Sequence, residues 1–169
     1  MRKMQIVAFA LIMMISCVAG AAGAWTVYYI DGIKKDDGMM AMIDIDAKFI
    51  IMSSDSFVLD DCGTLPPSVG CISSKYFTFH HDPLVVLEVG RRWTYKSFGF
   101  SVIRKCVFKS TSGTVNGFDI ASEQFYGRLN FYVSSSLDLL GWRLSHDKGG
   151  DLYLREGVKL GSCDRPGGS

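Results

Sequence analysis

Apolar and polar residues alternate with a period of two over most of this chain, and that alternation limits what it can become. Met39, Ala41, Ile43 and Ile45 interleave with Met40, Met42, Asp44 and Asp46. Phe98, Phe100, Val102, Cys106 and Phe108 interleave with Gly99, Ser101, Lys105 and Lys109, and Leu129, Phe131 and Val133 with Arg128, Asn130 and Tyr132. Successive side chains of an extended strand point to opposite faces, so this spacing describes half-buried strands. Further strands are expected at 25–30, 48–52, 75–80, 84–89, 139–145, 151–155 and 158–161. Turn signals separate them at Asp31-Gly32, Asp37-Gly38, Val89-Gly90, Asn116-Gly117 and Lys148-Gly149-Gly150. Only Asp119–Tyr126 carries a helical signal, with Asp119 as N-cap and Glu123 in the body, and a loop is the alternative there. The expected fold is all-β, an antiparallel β-sandwich or barrel-like sheet of about ten short strands.

The N-terminus reads as an export signal. Arg2 and Lys3 supply a basic start, Ile6 to Val18 an apolar run, and Ala19 to Ala24 a small-residue tail before Trp25. The apolar run falls short of the ~20 residues of a permanent membrane helix. Met14-Ile15-Ser16-Cys17 sits where a lipoprotein carries its acylated cysteine. However, Met14 replaces the usual Leu and the small-residue tail follows Cys17, so simple cleavage is expected. Residues 1–24 are thus assigned as a signal peptide and 25–169 as a single β domain, periplasmic or secreted.

Export changes the meaning of the cysteines. Beyond the leader they are Cys62, Cys71, Cys106 and Cys163, an even set that an oxidising compartment would join as two disulfides bracing the sheet. Of the three possible pairings, the turn-rich segment between Cys62 and Cys71 favours local closure. That leaves Cys106–Cys163 to tie the C-terminus to a central strand. Zinc is disfavoured because no C-x-x-C pair is present.

Charge and motif content narrow the function classes. Without Arg2 and Lys3, 16 basic residues face 17 acidic ones. Lys34-Lys35 runs at once into Asp36-Asp37 and Arg91-Arg92 stands alone, so no basic patch for nucleic acid forms. Adjacent strand histidines point apart, so His80-His81 could share a metal only if the chain turned at Asp82-Pro83. His146 lacks a G-x-S-x-G nucleophile elbow to serve. Asp44 with Asp46, and Asp55 with Asp60 and Asp61, are the carboxylate candidates for glycoside hydrolysis or calcium, without a calcium-loop pattern. No cofactor and no metal is expected. Tyr28, Tyr76, Tyr95, Tyr132 and Tyr153 tend to fall opposite the apolar faces, which means either an adhesive outer sheet or a core on both sides.

The remaining reading is a binder. Segment 109–117 is expected as an exposed loop after the strand that Cys106 anchors, and its small polar side chains suit a narrow cleft. Ser110, Thr111, Ser112, Gly113, Thr114 and Asn116 are therefore the candidate partner-binding residues, and no residue is assigned a catalytic role. Such a domain would act as an inhibitor or immunity protein against a secreted or wall-directed hydrolase or toxin. The alternatives are a hydrolase of wall or surface polymers, and a structural or adhesive subunit using 25–30 as a donor strand.

Overall fold

The computed structural model of the protein describes residues 26–30, 40–44, 48–52, 55–60, 71–74, 78–81, 85–124, 127–145 and 150–165. The expected leader, Asp46, Asp61, Cys62, Tyr76, His146 and the turns expected at 31–32, 37–38, 82–83 and 148–149 lie outside the described residues.

The strands are β1 (Thr26–Ile30), β2 (Met40–Asp44), β3 (Phe49–Met52), β4 (Asp55–Val58), β5 (Cys71–Ser73), β6 (Thr78–His80), β7 (Arg92–Tyr95), β8 (Phe98–Ser110), β9 (Gly113–Gln124), β10 (Gly127–Ser134), β11 (Leu139–Ser145), β12 (Leu152–Arg155) and β13 (Lys159–Cys163), of which β4, β5, β7 and β9 were not expected from the alternation. No helix occurs among the described residues, so none there could cross a membrane. Eleven strands form one antiparallel sheet in the order β13-β8-β9-β10-β11-β12-β1-β2-β3-β4, with β7 also on β8, and β5 and β6 pair separately. The all-β expectation holds.

Three local expectations are corrected. The helix or loop expected over 119–126 is strand as far as Gln124, because β9 pairs with β8 from Gly113 to Ser122 and with β10 from Gly117 to Gln124. Ladder bonds on both sides outweigh the weak capping signal of Asp119, whose carboxylate is occupied by side chains of β8 and β10. The loop expected at 109–117 shrinks to a two-residue turn, Thr111-Ser112, and Asn116-Gly117 lies in mid-strand opposite Val107 and Cys106. The strand expected at 84–89 has no ladder partner over 85–89 and runs irregularly into the Val89-Gly90 turn.

Strands β8 to β12 follow one another as a meander, but β13 leaves β12 and pairs with β8 on the far side. The connection is only Glu156, Gly157 and Val158, closed by the Val158 amide on the Arg155 carbonyl at 2.9 Å. So short a link forces β8 to come close to the end of β12. The six strands therefore curl into a barrel, whose seam runs between β12 and β13 because β1 takes the other edge of β12. One buried cluster draws on all six: Cys106 and Phe108, Val115, Tyr132, Leu140, Leu152 and Leu154, and Leu160 and Cys163, with Val158 from the link.

The opposite face of the same sheet is buried too. Phe100, Val102, Ile120, Phe131, Val133 and Trp142 pack with Tyr28, Ala41, Ile43 and Ile50 of the N-terminal strands and with Ile72 and Phe79 of the β5–β6 hairpin. Phe79 and Phe131 approach to 4.9 Å between ring centres, and Trp142 stacks on Tyr153 at 5.1 Å. Sandwich and barrel are thus the two faces of one sheet, and β10 is buried on both from Leu129 to Ser134. Burying each large apolar side chain fully contributes roughly 1.5–3 kcal/mol.

The disulfide expected between Cys106 and Cys163 is formed, and the two residues are register partners on β8 and β13. Cys71 is also disulfide-bonded.

Gly141 lies opposite both Tyr132 and Leu154, where a Cβ would overlap the Tyr153 carbonyl oxygen and sit 2.9 Å from Leu154 Cδ2. Gly141→Ala should therefore cost about 2–3 kcal/mol in urea unfolding. A loss below about 0.5 kcal/mol would contradict this register.

Candidate functional site

The turns β8–β9, β10–β11 and β12–β13 all lie at one end of the barrel, because they join consecutive antiparallel strands in the same sense. Hydroxyl residues fill two of them. Ser110 Oγ donates to the Gly113 carbonyl at 3.0 Å and accepts from Ser112 Oγ at 3.0 Å, so the tip is bonded within itself. In the next turn the Asp138 amide donates to Ser134 Oγ at 2.9 Å and Ser136 Oγ to Asp138 Oδ2 at 2.9 Å. The Ser135 amide donates to the Asn116 carbonyl at 2.9 Å, which ties this turn to β9.

The candidate binding residues divide between tip and strand. Thr111, Ser112 and Gly113 are exposed at the tip and Ser110 is half-buried beneath them. Thr114 and Asn116 are exposed on β9, and they pair with Lys109 and Val107 of β8 on the outward face. A groove of about 420 Å³ opens beside them, lined by Lys105, Val107, Asn116, Phe118, Ser135 and Asp164 among others. Lys109 and Lys159 face each other across β8 and β13, both exposed. Like charges placed opposite each other repel, so this flank favours an acidic surface.

Among the described catalytic candidates, His80, His81 and Asp60 are held in structural contacts. His80 is buried and stacks flat on Tyr95 at 3.9 Å, while His81 Nε2 lies 3.0 Å from the Val85 carbonyl oxygen. The Trp93 indole donates to the His80 carbonyl at 2.9 Å and packs edge-on to His81. Asp60 joins β4 to β5, with its amide donating to the Ser73 carbonyl and its carboxylate accepting from Ser73 Oγ at 3.4 Å. Asp55 is exposed at the start of β4, and Asp44 is buried on β2. No group of three His, Cys, Asp or Glu residues suited to a metal occurs among the described residues.

The tyrosines resolve in favour of a core on both sides. Tyr28 and Tyr132 are buried, one in each cluster, and Tyr95 and Tyr153 are half-buried in ring stacks. Burial pushes the Tyr28 and Tyr132 hydroxyls above the usual phenol range, and the neighbouring Asp119 carboxylate pushes Tyr132 further in the same direction. They form no adhesive outer face.

One polar cluster escaped sequence reading. Inside the barrel, away from the turn end, the fully buried Asp119 carboxylate accepts from Arg104 Nε and Nη2 at 2.8 Å each and from Asn130 Nδ2 at 2.6 Å. The strands place it, since Arg104 and Tyr132 are both register partners of Asp119. The available signal was an acid between Phe118 and Ile120, an apolar alternation in which Asp119 takes an inward position.

Arg104→Ala would leave that carboxylate buried with Asn130 as its one remaining donor among these contacts. We expect a loss of about 3–5 kcal/mol in urea unfolding, whereas Arg104→Met with Asp119→Leu should cost far less than the two single changes summed. Additive losses would contradict a coupled pair. No protein-family model matches this chain, and no curated protein and no solved structure matches it.

Proposed function

We propose that the chain is an exported protein-binding domain that blocks a secreted or wall-directed hydrolase or toxin by inserting the β8–β9 tip into the partner's cleft. The observation that carries this reading is the tip itself. Thr111, Ser112 and Gly113 project small, exposed groups from a turn bonded internally through Ser110, on a strand pair held in register through Lys109 and Thr114. Pre-ordering of this kind reduces the entropy lost on association, and small hydroxyls can hydrogen-bond catalytic groups without steric bulk. Thr114 and Asn116 would make the second line of contact, beside the groove. The Cys106–Cys163 bridge braces the scaffold behind them, and closing its 57-residue separation is worth about 4 kcal/mol in the chain-entropy account.

The test replaces Ser110 and Ser112 together by Arg. The mature wild-type domain, used as bait on the exported fraction, should retain a hydrolase or toxin whose activity it suppresses. The double variant should unfold at the same urea concentration and lose that suppression. Full suppression by the folded variant would remove the tip from the interface, and retention of a polysaccharide in place of a protein would overturn the reading.

A further inference from the structure

Two arginines share the polar end of the barrel interior with one carboxylate. Asp119 is committed to Arg104. Arg143 of β11 is the register partner of Asn130 on one side and of Leu152 on the other, which puts it on the same inward face, and its charge acts on Tyr132. Its Nε is shut off from solvent and hydrogen-bonds to nothing, and Arg143 has no ion pair among the described residues. At the rim, Arg128 faces Glu123 across β10 and β9, so that exposed acid stands opposite a base of its own.

A guanidinium nitrogen shut off from water without an acceptor is costly to keep, because burial removes its hydrogen bond to water and no protein acceptor replaces it. Its planar array of donors matches the paired oxygens of a carboxylate or phosphate. We propose that this end of the barrel is an oxyanion site, where Arg143 takes the carboxylate or phosphate group of a small ligand as the counter-charge that no described residue supplies. Asn130, the register partner of Arg143 on β10, and Tyr132, on which the arginine's charge acts, share that inward face. Arg104, on β8 across the barrel, stays committed to its pair with Asp119. The site is at the opposite end from the turns and does not depend on the β8–β9 tip.

The experiment follows the thermal midpoint of the mature protein against inorganic phosphate and, separately, acetate, at ionic strength held constant with sodium chloride. Wild type should rise saturably with at least one of the two, and which one responds names the ligand class. Arg143→Met, freed of an unpaired charge, should melt at or above the ligand-free wild type and show no rise. Arg143→Lys keeps the charge without the planar donors, and its apparent affinity should fall by about tenfold, the worth of roughly 1.4 kcal/mol. It also serves if the Met variant fails to fold. A flat wild-type response to both anions, or an undiminished rise in the variants, would show a solvated arginine and overturn the proposal.

Discussion

Everything at the C-terminal end depends on β13 pairing with β8. A meander of five strands has two open edges, and β1 already covers the edge of β12. The chain after Arg155 therefore cannot continue the sheet in order. It turns within three residues and takes the vacant edge of β8 from Lys159 to Cys163, with a register shift between Leu160 and Ser162. That shift keeps Leu160 facing Phe108 and brings Cys163 opposite Cys106, so one bulge serves both the apolar packing and the covalent bond. Without this pairing, Cys106, Phe108, Tyr132, Leu140, Leu152 and Leu154 would lose their shared interior.

Curling the sheet gives it two buried faces, and this explains the distribution of polar groups. β10 has no solvent side between Leu129 and Ser134, so Asn130 and Tyr132 must find partners inside the barrel. They do so beside Asp119, which Arg104 neutralises. Buried polar groups are tolerated when each has a partner, and this cluster meets that condition at Asp119. The interior is consequently graded. Apolar residues and the Cys106–Cys163 bridge fill it toward the turns, and charged residues fill the other half. The turn end is thus left as a rigid outer surface, and the polar end as an interior carrying charge.

The features legible in the sequence were those with short-range causes. Alternation at Phe98–Phe108 and Leu129–Val133 located β8 and β10, and the short, turn-rich segment between Cys62 and Cys71 left Cys106 to pair with Cys163. The errors fell where distant residues decide. Asp119 reads as a helix cap until Arg104, fifteen positions earlier, and Asn130, eleven positions later, are brought to it. Asn116-Gly117 reads as a turn until Gly117 is seen against Phe108 and the Val133 carbonyl, where a side chain would collide. Tyr28, Tyr132 and Tyr153 left an outer face and a two-sided core equally open, because alternation reports two sides without reporting that both are covered. Of the candidate site, sequence located the hydroxyl tip at 110–113. The groove beside Asn116 was not readable, since Ser135 and Asp164 reach it only through the fold.

The closure of β13 on β8 is the claim on which the barrel, its polar interior and the bracing of the tip all rest. Peptide mapping of the folded, unreduced protein by mass spectrometry tests it most directly. The expected result is one linked pair of peptides carrying Cys106 and Cys163, separate from the link that holds Cys71. Finding Cys163 joined to Cys62 or Cys71, or present as a free thiol, would contradict it.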